Sequence, residues 1–571
     1  MRWILWGTGA YGQRIVAAME RLEEILPGVR ARFFPLAGVV DRAARQQGQM
    51  LGGCRVASPD GMRSVMETAA ILVAMQNPAP VIAELRSWGV PEERIFTMQA
   101  FCRFFFCEIC PAVTAWRTQL GELSDAAEQL LVWLHAAGEI VRGGMFSERE
   151  ALDSGLPRAD VAGILDLALS EREIMQFYRT VSYEKCPRPL RTIALHYPRF
   201  HNGGVERVMA EQMPVLQSLG LRVVLLIDAY EAEKSYECPP DVPIVVLGNK
   251  DDGWLSWYRR FQAACEEYDV DGVYCHRYLA DAALLPWLVR SDGRHFFAEL
   301  HSVFVWWVQS HYGLLHVLCR QAEKVAVLSR VDARFWQLQG VRSVFLPNPV
   351  AVLERELPQG KERKDVYWIG RLEQIQKKVY DVIPIMQRIL ARRGETRLHL
   401  VGTTDHPAVL RELKRRIDEA GIAFSIVFDG YQQDLRDVYR RARVCLMTSR
   451  FEGFPMVLTE ALTYGVPVVM YDLPYLEIVR QCRGVFPVPM GDTAAAAEAV
   501  SALLADDALW QRSSAAAADS LRAFAKCHNQ KRLLRAFLFQ DEELAGDAED
   551  EETLRILVDT LVDWQIHPYG G

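Results

Sequence analysis

The sequence predicts an α/β protein made of Rossmann-like blocks: a small one at the start, then a helical spacer, then a longer stretch of strand–helix alternation. Three observations predict it. Short apolar runs alternate with helical three-four spacing over residues 1–110 and again from Arg191 onward, as parallel sheets require. Residues 111–186 carry helical spacing alone, as in LSDAAEQLLVWLHAAGEIV and ADVAGILDLALSEREIMQFYRTV. Glycines cluster where strands give way to helices: Gly7, Gly9 and Gly12, then Gly203 and Gly204, then Gly453.

Composition narrows the class. A chain of 571 residues exceeds what one core supports, and 50% hydrophobic with 24% charged residues is ordinary for globular domains. The net charge of −8 comes from one stretch, QDEELAGDAEDEE (540–552), which reads as a solvated acidic tail ahead of a short helix. The remainder balances, with no basic patch of the kind nucleic-acid binding needs. MRWILWGTGAYG reads as a strand and glycines, not as a signal peptide. The apolar segment 296–319 is interrupted by Glu299, His301, Gln309, His311 and His316, so it reads as buried helix, with peripheral membrane contact through Val-Trp-Trp as the alternative. Twelve scattered cysteines point to a reduced, cytoplasmic setting. Cys107 and Cys110 form a C-x-x-C without a second pair, and flanking phenylalanines favour packing over metal binding.

In the first block, an apolar strand leads into Gly7, Gly9 and Gly12 and then a helix, the arrangement that brings a pyrophosphate to a helix N-terminus. Asp41, ending the next strand, is placed to accept from ribose hydroxyls. NAD(P) or another nucleotide is the ligand this arrangement suits. The alternative is a docking or regulatory module without a cofactor. CPRPLR (186–191) marks a boundary, after which RTIALHY, RVVLLI, VPIVVL, DGVYCH, HFFAEL, KVAVLS and SVFLP supply strands.

The densest chemistry lies in TSRFEGFPMVLTEALTYGVPVV (448–469), a strand end, loop, helix and strand. Gly453 permits a sharp turn, Pro455 suits a first helical turn, and Gly465 suits the C′ position. The N–H groups of Gly453, Phe454, Met456 and Val457 would then point out of the helix start as an anion site. Glu452 and Glu460 frame that site, one carboxylate on each side. A nucleotide sugar, with a diphosphate between two hydroxyl-bearing rings, fits it. Upstream, DVYWIGRLEQIQKK carries Arg371, Lys377 and Lys378 just beyond a strand, placed to neutralise a diphosphate.

These motifs resemble, in order, those of the family 4 retaining glycosyltransferases: HNGGVER, His276 at a strand end, GRL…QKK, and E-x7-E. The resemblance spans about residues 190–535 and implies two facing Rossmann-like lobes, the GT-B fold. It implies an acceptor-side lobe over 187–350 and a donor-binding lobe over 351–539. It implies sugar transfer from a nucleotide-diphosphate sugar to a hydroxyl of a glycan or lipid-linked acceptor, in surface polysaccharide or glycoconjugate synthesis. Glu452 and His276 are then the expected catalytic residues, with Gly204, Arg371, Lys377, residues 453–457 and Glu460 holding the donor. Gly203 and His301 fall on the acceptor side. No metal is expected, since protein cations serve the diphosphate. Where the family often has glycine, this chain has Lys378. An epimerase or phosphorylase on the same fold, or a nucleotide-sensing binding protein, are the alternatives.

Overall fold

A computed structural model describes residues 1–43, 46–75, 77–142, 147–201, 203–249, 256–309, 312–350, 363–539 and 551–566. Most of the acidic run, 540–550, lies outside them. Three sheets organise the chain, as the alternation predicts. In the first, the parallel strands lie in the order Cys54–Ala57, Leu36–Val40, Trp3–Trp6, Ala70–Val73, Ile95–Thr97, with Met50–Leu51 added antiparallel at one edge. One face carries its own core, including Ile4, Trp6, Ile71 and Leu85. The other face packs on Phe101, Phe105 and Phe106 and runs without a break into the spacer and the second sheet.

The spacer is helical, and its first helix begins earlier than position 111. Met98–Trp116 is a continuous helical run with one wide turn over Phe105–Ile109. FCRFFFCEIC lies inside it, where burial pushes the Cys102 thiol up to about 12. Asp125–Arg142, Glu148–Asp153, Arg158–Ala168 and Glu171–Tyr178 complete the spacer. It is fixed to the following lobe by polar contacts. Tyr178 donates to the Ala283 carbonyl at 2.6 Å, and Trp287 Nε1 donates to Glu148 at 3.1 Å.

The second sheet is all parallel, in the order Ser343–Phe345, Lys324–Val327, His295–Leu300, Gly272–Cys275, Thr192–Arg199, Arg222–Ala229, Ile244–Val246. The third repeats the plan: Ile426–Gly430, Leu398–Val401, Asp365–Ile369, Ala442–Met447, Val468–Tyr471, Val485–Val488. In each, strand order reverses beside the first strand, and that crevice at the carboxyl ends is where α/β sheets bind ligands. The segment 296–319 is not one helix; it holds the end of a strand and two short helices, Phe304–Gln309 and Tyr312–Cys319. Among the described residues no helix is long and apolar enough to cross a membrane.

Chain order and spatial order part company near the end. Helix Gln530–Phe539 returns to the second sheet, placing Leu533, Leu534, Phe537 and Leu538 in the same core as Ile193, Leu225, Tyr274 and Phe297. Lys324 Nζ seals the helix end by donating to the carbonyl of Phe537 at 2.9 Å. Helix Glu551–Ile566 follows, and its Trp564 ring meets Phe451 edge-on at 5.5 Å, with the Arg450 guanidinium 4.1 Å over it.

The lobes also meet through a buried carboxylate. Glu477, at the start of Glu477–Gln481 in the third-sheet lobe, accepts from the backbone N–H of Arg330, the first residue of helix Arg330–Leu338 in the other lobe. Arg480 lies 4.0 Å away, and buried Asp332 is the like-charged neighbour. Burial raises the Glu477 carboxyl from its ordinary 4.5 to about 7. The folded protein therefore holds a proton there that the unfolded chain releases near 4.5. The resulting stability is complete below that value and is lost as pH rises through about 7. Melting temperature measured across this range is expected to decline less in Glu477→Gln than in the wild type, the slopes differing by about one proton. Equal slopes would remove Glu477 from the account.

Candidate active site

The crevice of the third sheet is built by the ends of Asp365–Ile369 and Ala442–Met447. After the first comes the loop Gly370–Lys378. Glu373 organises it, accepting from the N–H groups of Ile375, Gln376 and Lys377 at 2.9, 2.8 and 2.6 Å. Lys378 sits at φ 45°, ψ 48°. That left-handed conformation costs a non-glycine residue roughly 1 kcal/mol, which is the physical content of a glycine preference at this position. After the second strand, Thr448 accepts from Trp368 Nε1 at 2.9 Å and donates to the Lys377 carbonyl at 2.7 Å, tying the two loops together.

The tie brings Lys377 to Glu452. Lys377 Nζ lies 2.6 Å from Glu452 Oε1, and both side chains are largely buried. Gln376 Nε2 donates to the other carboxylate oxygen at 3.3 Å, and the Tyr475 hydroxyl holds the Glu452 backbone. Arg371 stands beside this pair with Nη2 3.4 Å from Gln376 Oε1, and it forms no ion pair among the described residues. The Gly453 Cα packs against the other lobe, where a Cβ would come within 2.5 Å of the His301 carbonyl oxygen.

Helix Met456–Thr463 begins directly after this loop, with Pro455 as its N-cap in extended conformation, one position earlier than a first-turn proline. No hydrogen bond among the described residues uses the N–H groups of Gly453, Phe454, Met456 or Val457. Phe454 is buried, and Met456 Sδ accepts from Asn348 of the other lobe at 3.6 Å. The helix ends as expected: Gly465 at φ 61°, its N–H bonded to Leu462 and that of Val466 to Ala461. Glu460 faces Tyr439, whose hydroxyl donates at 2.6 Å, and its second oxygen accepts from Arg207 across the cleft. Arg207 also donates to Glu211 at 2.9 Å. Sequence reasoning did not anticipate Arg207, Tyr439, Gln376 or Tyr475.

On the facing lobe, helix Gly204–Ser218 starts at N-cap Gly203, where any side chain would collide with the Glu206 carboxylate. His276 and His301 follow two neighbouring parallel strands. His276, expected near the donor sugar, lies beneath the surface of the cleft wall. Its side chain is fully buried, and its Nδ1 lies 3.0 Å from His301 Nε2 and 3.6 Å from Glu299 Oε2. A direct bond to a donor sugar would need the ring to turn. Burial holds both rings neutral, His301 at about 3, and raises the Glu299 carboxyl to about 7.

Gly7 takes φ 116°, and a Cβ on Gly12 would lie 2.0 Å from the Gly7 carbonyl oxygen, so helix and loop touch backbone to backbone. Asp41 is turned to the protein. One carboxylate oxygen accepts from Thr8 N at 2.8 Å and Thr8 Oγ1 at 2.5 Å, the other from Ala43 N at 2.8 Å. The acid read as a ribose acceptor thus closes the glycine loop in this structure.

Comparison with known proteins fits this geometry. Residues 202–352 match the model described as Glycosyltransferase Family 4, and residues 363–506 match that described as Glycosyl transferases group 1. Each lobe thus matches a glycosyltransferase family model. The chain is similar to part of the phosphatidyl-myo-inositol mannosyltransferase of Mycobacterium leprae, 31% identical over 208 residues, covering 34% of this chain and 53% of that protein. It is also similar to part of the mannosylfructose-phosphate synthase of Agrobacterium fabrum, 37% identical over 119 residues, covering 19% and 26%. The chain thus spans about a quarter to about half the length of these curated relatives. The structure of sucrose-phosphate synthase from Thermosynechococcus elongatus superposes with a TM-score of 0.52 at 18% identity, covering 60% of this chain and 98% of that one. That likeness shows the fold of the two lobes, GT-B.

Proposed function

We propose that the chain is a retaining glycosyltransferase that moves a sugar from a nucleotide-diphosphate sugar to a hydroxyl of a glycan or lipid-linked acceptor in surface polysaccharide or glycoconjugate synthesis. The observation that carries this reading is the convergence of Lys377, Arg371 and the open start of helix Met456–Thr463 on one crevice, with the Glu452 carboxylate inside it. Bond cleavage at the anomeric carbon leaves positive charge on the sugar and negative charge on the diphosphate. Lys377, Arg371 and the helix N–H groups are arranged to stabilise the second charge, and Glu452 faces the first. In the present geometry Lys377 neutralises Glu452. Diphosphate arrival draws the ammonium toward itself and frees the carboxylate for sugar hydroxyls. Glu460, oriented by Tyr439, takes the ribose hydroxyls once Arg207 yields one oxygen.

Relatives named for transfer to lipopolysaccharide and to phosphatidyl-inositol support the acceptor class. The nucleotide is identified by calorimetric titration with UDP, GDP, ADP and NAD, beside Glu460→Ala. One nucleoside diphosphate should bind the wild type, and the variant should bind it at least about tenfold more weakly, the loss of one or two charge-assisted hydrogen bonds. NAD binding that the variant retains would place the ligand in the first domain instead. Absence of any nucleoside diphosphate binding would defeat the transferase reading.

A further inference from the structure

A groove of about 1380 Å³ opens at the end of the third sheet opposite the donor crevice. Its floor is the entry side of the parallel strands. Asp365 and Arg443 stand at the starts of Asp365–Ile369 and Ala442–Met447, and Arg397 and Ser425 immediately precede Leu398–Val401 and Ile426–Gly430. Helix Asp507–Cys527 supplies one wall with Asp507 and Trp510. Five bases line the groove, Arg363, Lys364, Arg393, Arg397 and Arg443, against three acids, Asp365, Glu395 and Asp507.

Arg443 is committed within the wall, where it donates to the Leu503 carbonyl at 3.1 Å and pairs with Asp507 at 2.6 Å. Lys364, Arg393 and Arg397 are exposed and form no ion pair among the described residues. Arg363 is the decisive group, because it is only 2% exposed. Its Nη2 donates to the Tyr464 carbonyl at 3.0 Å, while Nε and Nη1 are buried without hydrogen-bond partners. The guanidinium lies 5.5 Å from the centre of the Trp510 ring, and that of Arg443 lies 5.1 Å from the same ring. Burial brings Arg363 down from 12.5 to about 10, with no neighbouring acid acting against it. A buried charge is costly unless a countercharge offsets it.

We propose that this groove binds a phosphate monoester, either a small soluble compound or the headgroup of a phosphatidic acid, at a site separate from the donor crevice. Setting aside the Arg443–Asp507 pair leaves four bases against two acids, an excess of two positive charges. That excess matches a phosphate monoester, which carries about −1.5 to −2 at neutral pH. Lys364, Arg393 and Arg397 take its oxygens, the guanidinium forks suiting phosphate geometry. Arg363 adds its uncompensated charge from within the wall, where the field is weakly screened. Phe424, 72% exposed in the same groove, offers an apolar surface to the esterified group. Through Tyr464, Arg363 also caps the end of helix Met456–Thr463, so the two anion sites stand at opposite ends of one eight-residue helix.

The test uses the full chain and two probes. Inorganic phosphate is titrated by calorimetry, and phosphatidylcholine vesicles with or without phosphatidic acid are followed by cosedimentation. Saturable phosphate binding without sedimentation identifies a soluble ligand, and sedimentation that requires phosphatidic acid identifies the headgroup. Arg393→Ala/Arg397→Ala, both exposed, should weaken binding at least about tenfold, the loss of two charge-assisted contacts. Arg363→Met should weaken it in the same sense, while Lys377→Ala, in the donor crevice, leaves it intact. Far-UV circular dichroism identifies any variant that fails to fold. Phosphate should raise the melting temperature of the wild type and not that of the double variant. No binding of either probe, with phosphate taken to about 10 mM, tenfold above millimolar affinity, would overturn the proposal. So would binding unchanged in Arg393→Ala/Arg397→Ala, or binding lost in Lys377→Ala alone, which would put the anion in the donor crevice. Nucleoside diphosphate binding by the double variant should match the wild type, so failure here is distinct from failure of the transferase reading.

Discussion

Replacing Lys377 with alanine is expected to lower kcat for sugar transfer by about two to three orders of magnitude, the usual cost of removing one preorganised charge partner from a developing anion. Two effects act together. The diphosphate loses the ammonium nearest to it, and Glu452, buried and 2.6 Å from that ammonium, is left with Gln376 alone. Lys377→Arg should recover only part of the rate, because the planar fork cannot take the position of a compact ammonium inside the turn organised by Glu373. Since Lys377 and Glu452 form one unit, the double variant with Glu452→Gln should lose far less than the sum of the single losses. Steady-state kinetics on donor turnover decide it. A Lys377→Ala rate within a factor of a few of wild type would show that Arg371 and the helix start carry the diphosphate unaided.

The second large effect concerns stability. Asp228 accepts from Arg277 Nη1 at 2.6 Å and from Trp257 Nε1 at 2.7 Å, and both charged side chains are nearly buried. Asp228→Ala should cost about 3–5 kcal/mol, because it strands the guanidinium and the indole N–H in the interior. Asp281, 4.0 Å from Arg277 Nε and half exposed, is too distant to substitute. Asp228→Asn keeps an acceptor for Trp257 and should fall between the two. The urea midpoint, followed by tryptophan fluorescence, measures the change. A loss below about 1 kcal/mol, the value of an exposed pair, would mean that the guanidinium finds water.

Much of the architecture was legible in the sequence because its signals are local. Strands such as VYWIG and VCLM declare themselves by composition, and the stop at Gly465 follows from glycine's conformational freedom, whereas Gly453 is required by close packing on the His301 carbonyl. The pairing of Lys377 with Glu452 could be anticipated only as two motifs on one crevice. Their contact depends on the Thr448 bridge between loops 71 residues apart. Arg207 and Glu460 are separated by 253 residues, and nothing in either segment names the other. Glu299 was visible only as a blemish in an apolar run. Its partners, Tyr274, Gln212 and the two histidines, come together only when two strands and a helix pack. Asp41 illustrates a related point: a carboxylate at a strand end serves its own loop as readily as a ligand, and the Thr8 contact appears only in the fold.

The return of helix Gln530–Phe539 to the second sheet has a consequence for how the molecule is made. Leu533, Leu534 and Phe537 finish a core whose last strand, Ser343–Phe345, leaves the ribosome long before them. At about 5–20 residues per second, roughly 10–40 s separate the two events. The third-sheet lobe is uninterrupted and can close during that interval, whereas its partner must wait with an apolar face uncovered. The nascent chain thus completes its lobes in the reverse of their order in the sequence.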